Sequence, residues 1–184
     1  MEQADLYARW FRGDPWAVRL MLDLGFICQV WDDCVDGDVV LTREAVDGAF
    51  IRALTALPRN PFWLRHQADL LPLLEAWIVD WQTATTIEQG QAMDPTLMRV
   101  AWLIRDSSAA IIIKCAGIVG GWEWAQEVAI EVRAHLHDEP FDEYARGIAK
   151  RHPVTVLRPG KQSAARAAAG RGDACVARTE VGHG

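Results

Sequence analysis

Four carboxylates lie within seven positions at residues 32–38, "DDCVDGD", directly after a strongly apolar run. At about 100° per residue along a helix, Asp32, Asp33 and Asp36 fall on one arc, so their side chains share a face. Like charges at i and i+4 repel, and a helix C-terminus disfavours an anion by about 0.3–1 kcal/mol. The arrangement is locally unfavourable, which predicts a compensating cation from Arg or Lys or from a bound metal.

Mg²⁺ is the metal that suits Asp oxygens at this spacing, because it takes one or two carboxylates and fills its other positions with waters and substrate phosphates. The pattern therefore favours a magnesium site at Asp32, Asp33 and Asp36. Mg²⁺ would be the cofactor and a phosphate-bearing small molecule the partner. The alternative is a solvated helix end whose charges are screened by salt. The sequence leaves both interpretations open.

The cations that would complement a bound diphosphate are Arg99, Arg105 and Lys114. Asp94-Pro95 predicts the start of a helix that runs through about Val119, on which Arg99, Asp106 and Lys114 share a stripe with the small residues Ala110 and Gly117. Such a stripe could line a groove for an anion. It could also be a helix–helix contact in which the long cationic side chains reach past the interface to water.

The acidic motif resembles a known family. The segment "DDCVD" at residues 32–36 is similar to the D-D-x-x-D motif of class I isoprenoid synthases, the trans-prenyl diphosphate and terpene synthases. The resemblance implies an all-α fold and Mg²⁺ held by Asp32 and Asp36, with Asp33 assisting, at a substrate diphosphate. That family carries a second acidic motif on a later helix. Asp106 is the candidate second-site acid here, with no acidic residue four or eight positions after it.

Two other interpretations compete with this one. The all-α NTP pyrophosphatases also bind Mg²⁺ through acidic helix motifs, and "EAVD" at residues 44–47 resembles their E-x-x-D element. The segments "WDDCVDGD" and "NPFWLRHQADLLPLLEAW" resemble small phage or prophage proteins. In the latter case the chain would be a non-catalytic helical interaction protein. Its acidic helix end and any exposed Trp would contact a protein partner or a second copy.

Composition limits the class of protein. The chain has 184 residues, 51% of them hydrophobic, and its nine Trp give ample material for one core. A net charge of −6 argues against binding the phosphate backbone of a nucleic acid, which requires a basic face. The run "AAIIIKCAGIVGGW" is too short to span a membrane and carries Lys114. Four widely spaced Cys fit a reducing compartment, so we expect a cytoplasmic protein without a membrane or nucleic-acid partner.

Helical periodicity fills most of residues 3–151, and strand patterns are nearly absent. We expect an all-α single bundle of about six or seven helices. Asp14-Pro15 predicts the start of the helix that carries the acidic cluster, and Gly37 predicts its end. Pro72 should kink or split the longest helical pattern, which runs from Asn60-Pro61 to about Gln89.

The chain changes character near residue 153. Residues 153–184 are rich in Ala, Gly and Arg, and they contain one Leu and no aromatic residue. Such a segment has little apolar surface to bury, so we expect a flexible tail after an all-α domain at residues 1–152.

Overall fold

The helix that carries the acidic cluster has the ends that the sequence predicts. In the computed structural model, which describes residues 3–37, 39–90 and 94–151, helix α2 spans Pro15–Asp36. The Asp14 side chain accepts hydrogen bonds from the backbone N–H groups of Trp16 and Ala17, both at 2.9 Å. Gly37 ends the helix in the left-handed region at φ 67°, and its N–H donates to the carbonyl of Asp33.

The described residues form eight α-helices and no strand, which confirms the all-α prediction. They are α1 (Gln3–Trp10), α2 (Pro15–Asp36), α3 (Arg43–Ile51), α4 (Pro61–Glu88), α5 (Pro95–Ile104), α6 (Ala109–Gly120), α7 (Trp122–Leu136) and α8 (Phe141–Arg151). A π-helical turn at Arg52–Ala56 and a 3₁₀ turn at Leu57–Arg59 connect α3 to α4. The chain divides into residues 1–152 and 153–184, and every described helix lies in the first unit. The predicted tail lies outside the described residues.

The expected single helix at residues 95–119 is wrong. The chain turns at residues 105–108, between α5 and α6, through hydrogen bonds that span three residues, such as Ala109 N–H to the carbonyl of Asp106 at 2.7 Å. Asp and Ser side chains compete with helical backbone hydrogen bonds, and "DSS" occupies 106–108. The turn directs the carboxylate of Asp106 into the bundle, where it is buried.

Helix α4 is continuous across Pro72, so the alternative of a split helix is wrong. Proline leaves the carbonyl four residues earlier, that of Ala68, without its helical donor. Pro72 and Ala68 are both exposed, so this carbonyl lies on the solvent side of the helix.

Two hydrophobic clusters hold the helices together. The larger one joins α1, α2, α4, α6 and α7, and its fully buried side chains include Trp10, Phe11, Leu20, Leu70 and Ile111. The smaller one joins the end of α4 to α5 and α8 around Met98, Tyr144 and Ile148. The acidic end of α2 therefore lies where α4, α5 and α8 can reach it. Within the ranges that the structure describes, no helix is both long and apolar enough to cross a membrane.

Candidate functional site

The three carboxylates of the acidic cluster contact three different donors. Asp32 accepts a hydrogen bond from the indole Nε1 of Trp81 on α4 at 3.1 Å. Asp33 accepts from the amide of Gln29, one turn earlier on α2, at 2.8 Å. Asp36 forms an ion pair with Nη1 of Arg151 on α8 at 3.1 Å. Asp38 lies outside the described residues.

Asp32 lines a polar pocket of about 240 Å³. The side chains of Arg105, Ser108 and Gln29 also line it, and Trp77 and Trp81 form an aromatic wall. Helices α1, α2, α4, α6 and α7 and the turn after α5 all contribute to the lining. This pocket brings the acidic end of α2 together with one of the three predicted diphosphate-binding cations.

Arg105 is held in this pocket by a carboxylate that the sequence analysis missed. Its Nε and Nη2 atoms donate to Oε1 and Oε2 of Glu88 at 2.5 and 2.6 Å, and the Tyr144 hydroxyl also donates to Oε1. The Glu88 side chain is only 5% exposed. Burial alone would lower the pKa of Arg105, but the hydrogen bonds to Glu88 raise it above its ordinary value. Arg105 is therefore a fixed positive charge.

Glu88 of this ion pair also lines a second pocket, of about 350 Å³. Asp36, Glu88 and Arg151 line it, together with Thr85 and Gln89. Asp32 and Asp36 are one helical turn apart on α2, so they present carboxylates to the two neighbouring pockets.

The cluster around these pockets is acidic. Among the described side chains it contains the carboxylates of Asp32, Asp33, Asp36 and Glu88 and the guanidinium groups of Arg105 and Arg151. Four carboxylates and two guanidinium groups leave two negative charges unmatched. The arrangement favours a cation, and in particular a divalent one.

The pKa of Asp32 is raised above its usual value. Burial is the largest cause, followed by repulsion from Asp36, and Asp33 adds a smaller repulsion. Arg105 and the hydrogen bond from Trp81 oppose these effects without cancelling them. The ionised carboxylate of Asp32 is thus held in a place that disfavours its charge, and a bound cation would relieve this.

The raised pKa predicts that Asp32→Asn stabilises the metal-free protein. At pH 7 the free energy of unfolding of the variant should exceed that of the wild type by a few tenths of a kcal/mol up to about 1 kcal/mol. The substitution removes the repulsion between Asp32 and its neighbouring carboxylates and the unfavourable interaction with the helix dipole. The folded state binds the proton of Asp32 more tightly than the unfolded state, so the wild type loses stability as pH rises through these pKa values. Urea unfolding at several pH values should therefore show that the stability difference between Asp32→Asn and the wild type decreases below about pH 4. Destabilisation at pH 7 would contradict this electrostatic account.

Cys28 also lines the Asp32 pocket, but its thiol is not reactive. Burial and the charge of Asp32 raise its pKa to about 12. The thiol remains protonated at neutral pH, and only a thiolate is an effective nucleophile or metal ligand. Cys28 is therefore not a candidate nucleophile or metal ligand in this pocket.

The other sequence-predicted site residues lie elsewhere. Arg99 packs its guanidinium 4.4 Å above the ring of Phe141, and Lys114 forms an ion pair with Asp69 at 3.0 Å. Asp106, the candidate second-site acid, accepts a hydrogen bond from Arg133 at 2.9 Å, and Nε2 of His137 lies 3.0 Å from its carboxylate. These residues do not line the two pockets beside Asp32 and Asp36. Of the three predicted cations, only Arg105 is brought to the acidic end of α2.

Asp23 is a further buried carboxylate, which the apolar pattern of α2 did not indicate. Its side chain is 3% exposed and accepts hydrogen bonds from Arg19 at 2.9 Å and from Arg52 at 3.1 Å. Arg19 and Asp23 are spaced i,i+4, which is a visible sequence pattern. Arg52 also lies 3.6 Å from the centroid of the Phe26 ring. This group is fully paired and ties the π-helical turn to α2.

Within the described residues, no group of three or more His, Cys, Asp or Glu side chains is arranged to hold a metal ion. Proteins also bind Mg²⁺ through one or two carboxylates that are completed by water and phosphate oxygens. No family model, curated protein or solved structure matches the chain. The function proposed below follows from the contacts, pockets and charges at the end of α2.

Proposed function

We propose that this protein binds Mg²⁺ together with a diphosphate-bearing small molecule at the acidic end of α2. The observation that carries the proposal is the half-buried pair Asp32 and Asp36, set in a cluster with two unmatched negative charges and opening into two pockets. A divalent cation would supply the missing positive charge. Arg105 and Arg151 lie beside the two carboxylates and can receive the phosphate groups.

Each residue has a distinct part in such a complex. Asp32 and Asp36 would contact the cation through their carboxylate oxygens. Asp33, which accepts a hydrogen bond from Gln29, would add negative charge without contacting the cation. Arg105 uses Nε and Nη2 for Glu88, which leaves Nη1 to donate to a phosphate oxygen. Bound Mg²⁺ would neutralise the phosphate charge and, in a reaction, that of a leaving oxygen.

The NTP pyrophosphatase alternative finds less support. Asp47 of the "EAVD" segment pairs with Arg43 at 3.3 Å on the surface of α3, and the Glu44 side chain is exposed as well. Neither side chain lines a pocket with Asp32 or Asp36. The acids that support the proposal all come from α2 and the end of α4.

Thermal unfolding with Mg²⁺ and inorganic pyrophosphate tests the proposal. At about 100-fold excess over Kd, a ligand stabilises the folded state by about 2.7 kcal/mol, so Tm should rise by about 5 °C or more. Asp32→Asn should abolish this rise. Glu75→Gln, which removes an exposed carboxylate from the middle of α4, should retain it.

The same measurement has a clear negative result. An unchanged Tm for the wild-type protein in Mg²⁺ and pyrophosphate would contradict the proposal. Equal rises for the wild type and Asp32→Asn would show that the ligand binds away from the end of α2.

One observation favours the second candidate, a non-catalytic interaction protein. Phe50, Ile51 and Leu54 share one face of α3 and the turn after it, and they are 62%, 60% and 70% exposed. Trp122, at the start of α7, is 75% exposed. Contiguous apolar side chains on a surface mark interaction sites. This candidate predicts that Mg²⁺ and pyrophosphate leave Tm unchanged.

A further inference from the structure

A groove between α4, α6 and α7 has the properties of a second, separate ligand site. Its volume is about 510 Å³, which is within the range of small-molecule sites. Leu73, Ala110 and Arg133 also line a neighbouring pocket of about 280 Å³, whose lining includes the carboxylates of Asp80 and Asp106. Among the described residues, the larger pocket shares no lining side chain with the pocket of Asp32.

Small side chains create the groove. A Cβ added at Gly117 would lie 3.3 Å from the Cβ of Ala125, so α6 and α7 approach each other closely at this point. Ala110, about two helical turns earlier on α6, is also small. The larger apolar residues around them, such as Ile113 and Ile118, remain partly exposed. An apolar occupant would remove this surface from water, at about 25 cal/mol per Å² covered.

Two cationic side chains also line this largely apolar groove. Among the described lining residues of the larger pocket, the charged ones are Lys114 and Arg133. Lys114 pairs with Asp69 at 3.0 Å, and both side chains are about half exposed. Such surface pairs contribute about 0–1 kcal/mol, so Lys114 can exchange Asp69 for another anion. Arg133 donates to Asp106 through Nη1 while its side chain is 55% exposed.

We propose that this groove binds a long-chain carboxylate, that is, a fatty acid. The hydrocarbon chain would lie along Ile113, Ile118 and Trp122, and the carboxylate would meet Lys114 and Arg133. The combination of an apolar channel and adjacent cations matches an amphipathic anion. A helical peptide is the competing occupant, and the titration below distinguishes it from a fatty acid.

Calorimetric titration with dodecanoate, below the concentration at which it forms micelles, tests the proposal. Dodecanoate should bind at one site, and dodecyltrimethylammonium, with the same chain length and opposite charge, should bind about tenfold more weakly or worse. Lys114→Gln should weaken dodecanoate binding by about tenfold, and Trp122→Ala, a substitution at an exposed position, should also weaken it. Lys150→Gln, which removes an exposed lysine from α8, should leave it unchanged.

Three results would overturn the proposal. They are an absence of dodecanoate binding, equal binding of the two oppositely charged amphiphiles, and an unchanged affinity in Lys114→Gln. Binding of an acidic amphipathic peptide without binding of dodecanoate would overturn it too, by assigning the groove to a protein partner. Asp32→Asn should not alter dodecanoate binding, so this outcome is independent of the magnesium proposal.

Discussion

Replacing Glu88 with glutamine should lower the free energy of unfolding by about 3–5 kcal/mol. Glu88 is nearly fully buried and receives two hydrogen bonds from Arg105 and one from Tyr144. Glutamine keeps the shape but removes the charge, and its amide N–H₂ faces donors of Arg105. The partly buried guanidinium of Arg105 would then lose its bidentate counter-charge and keep only the interaction with Asp32. Urea unfolding monitored by Trp fluorescence measures the difference.

A matched control separates burial from charge. Asp47→Asn removes one partner of the exposed Arg43–Asp47 pair and should cost less than about 1 kcal/mol. The double variant Glu88→Leu with Arg105→Met should recover much of the lost stability, because a buried pair replaced by apolar groups leaves no unpaired charge. A Glu88→Gln loss as small as that of Asp47→Asn would contradict the buried pair.

Gly120→Ala should destabilise the protein by about 2–4 kcal/mol. A Cβ at residue 120 would lie 2.1 Å from Cδ1 of Trp124 and 2.8 Å from its Cβ, so the whole indole must move. The indole Nε1 of Trp124 donates to the carbonyl of Trp10 at 2.8 Å, and Arg12 lies over its ring. Thermal and urea unfolding of the purified variant measure the loss.

Gly147 provides the control for this substitution. It lies inside α8, and a Cβ there would meet no heavy atom within 4 Å. Gly147→Ala should therefore stabilise the protein by about 0.5–1 kcal/mol through helix propensity alone. If both substitutions changed stability in the same direction, the close approach of α6 and Trp124 would be wrong.

Local sequence patterns predicted the fold where local chemistry decides it. Asp14-Pro15, Asn60-Pro61 and Asp94-Pro95 each place a capping carboxylate or amide before a proline, and each begins a helix. The turn at residues 105–108 was not predicted, because an apolar helical period continues on both sides of it. The local signal, "DSS" at 106–108, is short, and the contacts of Asp106 with Arg133 and His137 are made across the fold.

The candidate site was predicted only in part, for the same reason. The spacing of Asp32 and Asp36 follows from helix geometry, so the shared face and the repulsion between them were accessible from sequence. Their partners were not, because Trp81 is 49 positions from Asp32 and Arg151 is 115 positions from Asp36. Glu88 was missed because one carboxylate at the end of a long helix gives no periodic pattern. Only the packing of α4 against α5 and α8 reveals its role.

The acidic cluster and the fixed cations together define what the site can bind. Asp32 is disfavoured as an anion, whereas Arg105 is locked in its charged state by Glu88. A lone phosphate would meet repulsion from the carboxylates of α2, and a lone divalent cation would meet two guanidinium groups. In a magnesium–diphosphate pair, Mg²⁺ can contact the carboxylates of α2 while the phosphate oxygens accept from the two guanidinium groups. The account therefore predicts that the two components bind cooperatively.

Calorimetric titration of Mg²⁺ in the presence and absence of pyrophosphate measures this cooperativity. The account predicts one site for the wild-type protein, with Mg²⁺ affinity increased about tenfold or more when pyrophosphate is present, and no detectable binding by Asp32→Asn. Glu75→Gln should behave like the wild type. No heat of Mg²⁺ binding with pyrophosphate present, or binding that survives in Asp32→Asn, would contradict the assignment of a magnesium–diphosphate site to the end of α2.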